Sequence, residues 1–94
     1  MTINEICDAC ITAVRDAGYN ESTVFNYEGV VRRFKQFCQK RNVTEYTSKI
    51  GQAYANDVIS AKSGSFSLNR YHTQGRFFRL IDSYFVTGAF DFSM

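Results

Sequence analysis

The sequence contains no proline and no low-complexity run, and no apolar stretch approaches the ~18 residues that a membrane span requires. The first two absences argue against intrinsic disorder, and the third predicts a chain that does not cross a membrane. Residues 1–5 show no basic segment leading into a long apolar run, so we expect no secretory signal. Three cysteines are an odd number without a disulfide framework, which favours a reducing, cytoplasmic setting.

Acidic residues are also missing from one basic segment and scarce in another. Lys62 to Arg79 contains four basic residues and no acid, and Ser22 to Arg41 contains five basic residues against Glu28 alone. The opening stretch is acidic, so the formal net charge of +2 conceals two strongly basic blocks. Charge segregated in this way favours binding of a polyanion, and nucleic acid is the first candidate.

Apolar residues recur at three- and four-residue steps, a spacing that predicts helices and no strand. The expected helices are roughly 2–17, 22–41, 48–61 and 67–87. Thr2 and either Thr47 or Ser48 can cap helix starts, while Gly18 and Asn42 can end helices. Ninety-four residues suffice for one hydrophobic core. We therefore expect 1–94 to be one all-α domain, a compact orthogonal four-helix bundle.

Helical projection separates an apolar face from a polar one on the second and fourth helices. On the fourth helix, the predicted core face is Leu68, Tyr71, Phe78, Ile81 and Phe85. Towards its end, Phe77, Leu80 and Tyr84 extend the apolar surface around the helix, which indicates burial on more than one side or a docking patch. Phe25 falls on the polar side of the second helix, and the tail aromatics Phe90 and Phe92 are expected to be exposed.

The polar faces hold the candidate contacts to DNA. Arginine and lysine neutralise phosphates, and asparagine, glutamine and arginine also address base edges. The predicted contacts are Arg32, Arg33, Gln36, Lys40, Asn69, His72, Thr73, Arg76 and Arg79. The alternative is a pair of solvated helix faces without a ligand. Gly29 lies on the charged face, where it either permits close approach of a partner or is merely tolerated.

A metal site is the competing interpretation of the cysteines. A zinc site with three cysteine ligands and one histidine ligand could be formed by Cys7, Cys10, Cys38 and His72. All three cysteines fall on apolar helix faces, however, so we favour core packing and expect neither a metal nor a cofactor. His72 has no sequence neighbour that would make it a general base, so a DNA contact or a solvated surface position remains for it.

Two ordered sets of residues follow the pattern of a known family. The first set is Ser22-Thr23-Val24, Tyr27, Val30, Arg32-Arg33-Phe34, Phe37-Cys38 and Tyr46-Thr47. The second set is Arg70-Tyr71, Arg76-Phe77, Arg79-Leu80-Ile81-Asp82, Tyr84-Phe85, Thr87-Gly88 and Phe90-Asp91-Phe92. Together they resemble the N-terminal core-binding domain of tyrosine recombinases of the phage-integrase type, over nearly the whole chain.

The resemblance implies a SAM-like four-helix fold that forms half of a clamp around double-stranded DNA at the crossover site. Its second and fourth helices would lie against the major groove, and these are the helices that carry the basic blocks. Partners would be the catalytic domain and other recombinase subunits on DNA. The catalytic residues of the family belong to that other domain, so this chain is expected not to be an enzyme itself. It is either a piece of a recombinase or a separate gene product, and a helical protein–protein interaction module is the alternative function.

Overall fold

The computed structural model describes residues 1–59 and 62–92. It contains four α-helices: α1 (Ile3–Asp16), α2 (Glu21–Lys40), α3 (Ser48–Ala55) and α4 (Leu68–Thr87). The described residues form no β-strand, only two isolated bridges, Thr2 with Glu45 and Ile59 with Phe66. The predicted all-α class with four helices is thereby confirmed. None of the helices in these ranges combines the length and apolar character needed to cross a membrane.

The chain divides into two compact units, each of which contains one packed pair of helices. The first unit, Met1–Tyr46, contains α1 and α2, and the second, Thr47–Met94, contains α3 and α4. Each unit is described below by itself. The organisation of 1–94 as a single domain stays a prediction.

Side-chain caps set the helix boundaries. At the start of α1, the Thr2 hydroxyl accepts a hydrogen bond from the Glu5 amide at 3.0 Å, and the Glu5 carboxylate accepts one from the Thr2 amide at 2.8 Å. This reciprocal capping box satisfies amides that lack a partner inside the helix. The other N-caps, with side chains that accept from the helix backbone, are Asn20, Thr47 and Ser67. The predicted caps at Thr2 and Thr47 are therefore confirmed.

Residues in the left-handed region of backbone space follow three of the helices. Gly18 has φ +81° after α1, Asn42 has φ +56° after α2, and Gly88 has φ +81° at the end of α4. Glycine adopts this conformation without strain, and asparagine tolerates it better than most residues. The predicted ends at Gly18 and Asn42 are confirmed.

The core of the first unit lies between the apolar faces of α1 and α2. The α1 contribution is Ile3, Ile6, Cys7, Cys10 and Val14, all buried. On α2, Phe34 is fully buried, and its ring packs edge-to-face against Tyr46 at a centroid distance of 6.3 Å. The start of the chain is attached to the segment before Tyr46, since the Ile3 amide donates to the Thr44 carbonyl at 2.8 Å.

Helix α3 ends at Ala55, well before the predicted boundary at residue 61. The prediction was wrong for residues 56–59, which are not helical, and Ala61 lies outside the described residues. The reason is a long-range interaction. The buried Gln74 amide donates from Nε2 to the Tyr54 carbonyl at 2.6 Å and to the Asp57 carbonyl at 2.8 Å. Arg70 also holds this segment through the Asp57 carboxylate and the Ile59 carbonyl.

The buried face of α4 differs from the predicted one. Its buried residues are Gln74, Phe77, Leu80 and Ile81. Leu68, Tyr71 and Phe85, predicted in the core, are exposed, and Phe78 is only partly buried. Apolar periodicity failed here because the buried face includes a polar residue, Gln74. Within the unit, Phe77 packs edge-to-face against Tyr54 at 6.2 Å.

The tail aromatics are less exposed than predicted. Phe90 stacks on Tyr84 with a centroid distance of 4.3 Å and an interplanar angle of 5°, and Phe92 lies 6.2 Å from Phe90. The Ser83 hydroxyl also accepts a hydrogen bond from the Asp91 amide at 3.2 Å. These interactions hold the tail against the last turns of α4.

We predict that Gln74→Leu destabilises the protein by about 1–3 kcal/mol, because the variant leaves a buried carbonyl without its donor. Gln52→Leu, on the exposed face of α3, is the matched control and should change stability by less than about 0.5 kcal/mol. Urea denaturation measures both values. Equal stability of the two variants would contradict the role given to Gln74.

The buried thiols predict a loss of stability at alkaline pH. Burial raises the pKa of Cys7 and Cys10 to about 12 and that of Cys38 to about 11. In the unfolded chain a thiol has a pKa of about 8.5. Between these values the unfolded chain releases protons that the folded chain retains, so the free energy of unfolding falls as pH rises from about 8.5 towards 11.

Denaturation at a series of pH values tests this, with a Cys10→Ala variant as the comparison. The variant has one buried thiol fewer, so its stability should fall less steeply above pH about 8.5. At pH about 8, a thiol reagent should label the folded protein far more slowly than the denatured one. Rapid labelling of all three thiols in the folded state would contradict the described core.

Candidate nucleic-acid interface

The predicted contacts on α2 lie on its outer face. Arg32, Arg33, Gln36 and Lys40 are all exposed, while the opposite side of the helix is buried. Arg32, Gln36 and Lys40 follow one another at steps of four residues, which places them along a single ridge of the helix. The first unit therefore presents a continuous basic and hydrogen-bonding strip, which we call the α2 basic face.

The predicted contacts on α4 form a comparable strip in the second unit. Asn69, His72, Arg76 and Arg79 are exposed, and Thr73 is partly buried at its edge. Steps of three and four residues connect His72 with Arg76 and Arg76 with Arg79. The His72 ring lies in edge-to-face contact with Tyr71 at 5.4 Å. We call this strip the α4 basic face.

Other basic residues of the two blocks are engaged within their own units. Lys35 forms an ion pair with Asp8 of α1 at 3.7 Å. Arg41 lies with its guanidinium carbon 3.6 Å above the Phe37 ring. Arg70 holds the Asp57 carboxylate at 3.5 Å and donates from Nε to the Gln74 side chain at 3.1 Å. These three cations contribute to packing and loop attachment, so the effective charge of each block is smaller than its formal charge.

The remaining arginines and lysines on the two faces keep their charge uncompensated. Within residues 1–59 and 62–92, no acidic side chain forms an ion pair with any of Arg32, Arg33, Lys40, Arg76 and Arg79. Exposed guanidinium and ammonium groups without a fixed partner are available to neutralise phosphates.

The structure places the predicted contacts in two sets, one in each unit. Arg32, Arg33, Gln36 and Lys40 belong to the first, and Asn69, His72, Thr73, Arg76 and Arg79 belong to the second. Within each set the side chains share one helix face. The common surface expected from α2 and α4 together stays a prediction.

The N-terminal half of α2 has a different character from the basic face. A shallow cavity of about 480 Å³ is lined by Arg15, Tyr19, Glu21, Val24, Phe25 and Glu28. Arg15 pairs with Glu28 there at 3.6 Å, and Phe25 is 68% exposed, as predicted for its position on the polar side. The two carboxylates of this cavity make the N-terminal half of α2 more acidic than the C-terminal half, which carries the cations of the basic face.

The cysteines belong to the core of the first unit. Cys7, Cys10 and Cys38 are free thiols and are buried, which confirms the core-packing interpretation. Burial raises the pKa of each thiol, so the three groups stay protonated in the core at neutral pH. In the part of the chain that the structure describes, no three His, Cys, Asp or Glu side chains are placed together to hold a metal.

An exposed apolar cluster near the start of α4 was not predicted. Ile59, Phe66, Leu68 and Tyr71 are each more than half exposed. The Phe66 ring lies 6.0 Å from Tyr71, and Ile59 bridges to Phe66. Leu68 and Tyr71 follow the apolar spacing of a core face, so no sequence signal distinguished them from buried residues. We call these four residues the apolar cluster.

Comparison with known proteins gave no similarity to report. No protein-family model matches the chain, no curated protein sequence is significantly similar to it, and no solved structure matches its fold. The resemblance to tyrosine recombinases therefore depends on the ordered residue pattern, and the candidate site depends on the described geometry.

Proposed function

We propose that this chain binds double-stranded DNA through the α2 and α4 basic faces, as the core-binding domain of a tyrosine recombinase. In this proposal the chain grips the crossover site and orients it. The catalytic domain and neighbouring recombinase subunits are its protein partners, and strand cleavage and rejoining belong to that catalytic domain.

The observation that carries the proposal is the distribution of cations after ion pairing. Lys35 and Arg70 have acidic partners, whereas the five cations predicted to contact DNA have none in the described ranges. Asp8 and Asp57 thus pair with cations other than these five. A helix surface that leaves its cations uncompensated repels itself, and a polyanion relieves that repulsion.

The polar residues between the cations extend the binding chemistry. Gln36 and Asn69 carry amides that both donate and accept hydrogen bonds, and His72 and Thr73 can donate to phosphate oxygens. An α-helix fits the major groove of B-DNA, where such groups reach base edges. In this proposal the cations supply most of the affinity, and the amides supply register on the duplex.

Salt dependence tests the phosphate contacts. If all five cations neutralise phosphates, the logarithm of the association constant should fall against the logarithm of salt concentration with a slope of about −4 to −5. Arg76→Ala should lower the magnitude of that slope by about one, and Arg32→Ala should do the same. Fluorescence anisotropy of a labelled duplex between about 50 and 200 mM salt measures it.

Lys49→Ala supplies the matched control, because Lys49 is an exposed cation on α3 outside both basic faces. Its slope should equal that of the unchanged protein. The Arg32→Ala/Arg76→Ala double variant should lose about two from the slope if both units bind one duplex. A slope that neither arginine alters, or failure to bind duplex at about 50 mM salt, would contradict the proposal.

A second candidate is a helical protein–protein interaction module, which the apolar cluster favours. Leu68 is 60% exposed and Phe66 is 57% exposed. Contiguous exposed apolar surface on a small protein marks interaction sites. The apolar end of α4 was expected either to be buried on more than one side or to form a docking patch. Phe77 and Leu80 are buried there, whereas the apolar cluster at the start of α4 is exposed.

Self-association tests this second candidate. If the apolar cluster joins two copies, sedimentation should show a mass that rises with concentration, and Leu68→Ser should suppress the rise. Because Leu68 is exposed, the substitution should change stability by less than about 0.5 kcal/mol. Thr12→Ser, at an exposed position of α1, is the control. A monomer at every concentration would contradict self-association through the cluster.

A further inference from the structure

Two glycines that are only partly buried occupy helical positions where the backbone does not require glycine. The third helical glycine without a positive φ, Gly51 of α3, is buried. Gly18, Gly64 and Gly88 have positive φ angles, a conformation that other residues adopt only with strain. Gly29 and Gly75 instead lie inside α2 and α4 with no positive φ. Glycine inside a helix is less favourable than any residue except proline. The fold is therefore weakened at both positions without a conformational reason.

Packing does not require these glycines either. A methyl group added at Gly29 would lie 3.5 Å from Nη1 and 4.0 Å from Nη2 of Arg33. One added at Gly75 would lie 3.7 Å from Nη1 of Arg79. Both distances are ordinary van der Waals separations, and the nearest group in each case is a flexible side chain. Alanine therefore fits both positions in the free protein.

The same arrangement occurs on both basic faces. Each glycine lies four residues before an arginine, and the guanidinium of that arginine lies back over the glycine. Arg33 and Arg79 both belong to the cations without an acidic partner in the described structure. The absent β-carbon leaves a low area of helix surface beside a cation, and a phosphate oxygen could lie closer to the helix there than elsewhere.

We propose that Gly29 and Gly75 are positioning residues for duplex DNA. Each allows a phosphate of the DNA backbone to approach its helix closely, where Arg33 or Arg79 neutralises the phosphate from the side. This inference depends on the proposed function and deepens it, because it assigns the closest approach of DNA to one point on each basic face. It also gives a reason for an unfavourable residue at each of these two partly buried helix positions.

Alanine substitution should move stability and binding in opposite directions. Gly29→Ala and Gly75→Ala should each raise the melting temperature by about 4–8 °C, since alanine favours the helix. Each should weaken binding to a labelled duplex about three- to tenfold at fixed salt, because the methyl group displaces the phosphate. The salt slope should stay unchanged, since no charge is lost. Thr12→Ala, which favours the helix at an exposed site of α1, should stabilise without affecting binding.

A double-mutant cycle identifies the arginine through which each glycine acts. The loss of binding in Gly29→Ala should largely disappear when Arg33→Ala is already present, and it should persist alongside Arg76→Ala. Alanine variants that bind duplex as tightly as the unchanged protein would overturn the inference while leaving the proposed function intact. A fall in melting temperature would overturn its premise that packing does not need glycine. If the unsubstituted protein fails to bind duplex DNA, both the proposed function and the inference about the glycines are contradicted.

Discussion

The buried amide of Gln74 fixes the orientation of α4, and the chemistry of the second unit follows from it. Its Nε2 donates to the carbonyls of Tyr54 and Asp57 at 2.6 and 2.8 Å. A buried amide that loses such bonds is costly, so rotation of α4 about its axis is strongly opposed. At 100° per residue, Arg76 and Arg79 lie on the side of the helix opposite Gln74. A polar group in the core thus decides which charges face solvent.

Ion pairing separates the basic residues into structural and available groups. Asp8 forms an ion pair with Lys35, and Asp57 forms one with Arg70. Each of these pairs joins two segments of one unit, so the cation contributes to packing as well as to charge. On α2, Arg32 and Arg33 lie within one helical turn of Lys35, whereas on α4 Arg76 and Arg79 follow Arg70 by more than one turn. The formal charge of each basic block is therefore larger than the charge that remains once the ion pairs are subtracted. The residues that keep this remaining charge are the candidates for binding an anion.

Local signals predicted most of the fold, and long-range contacts account for what was missed. Caps depend on a few neighbouring residues, so Thr2 and Gly18 were sufficient to place the boundaries of α1. The end of α3 and the buried face of α4 depend instead on Gln74, which is distant in sequence from Tyr54. No periodicity of apolar residues can identify a polar residue as part of a core. The candidate contacts were predictable because exposure and charge coincide on one helix face, whereas the apolar cluster was not.

The division into two units affects how the proposed binding to DNA would gain affinity. Each basic face carries only a few unpaired cations, and so few phosphate contacts bind weakly at physiological salt. The units are contiguous in sequence at Tyr46 and Thr47. Once one face holds a duplex, binding by the other is intramolecular and benefits from a high effective concentration. Two weak faces on one chain can therefore act as one strong site if both reach the same duplex. If both faces bind as proposed, the affinity of the whole chain should depend steeply on whether both can engage one duplex at once.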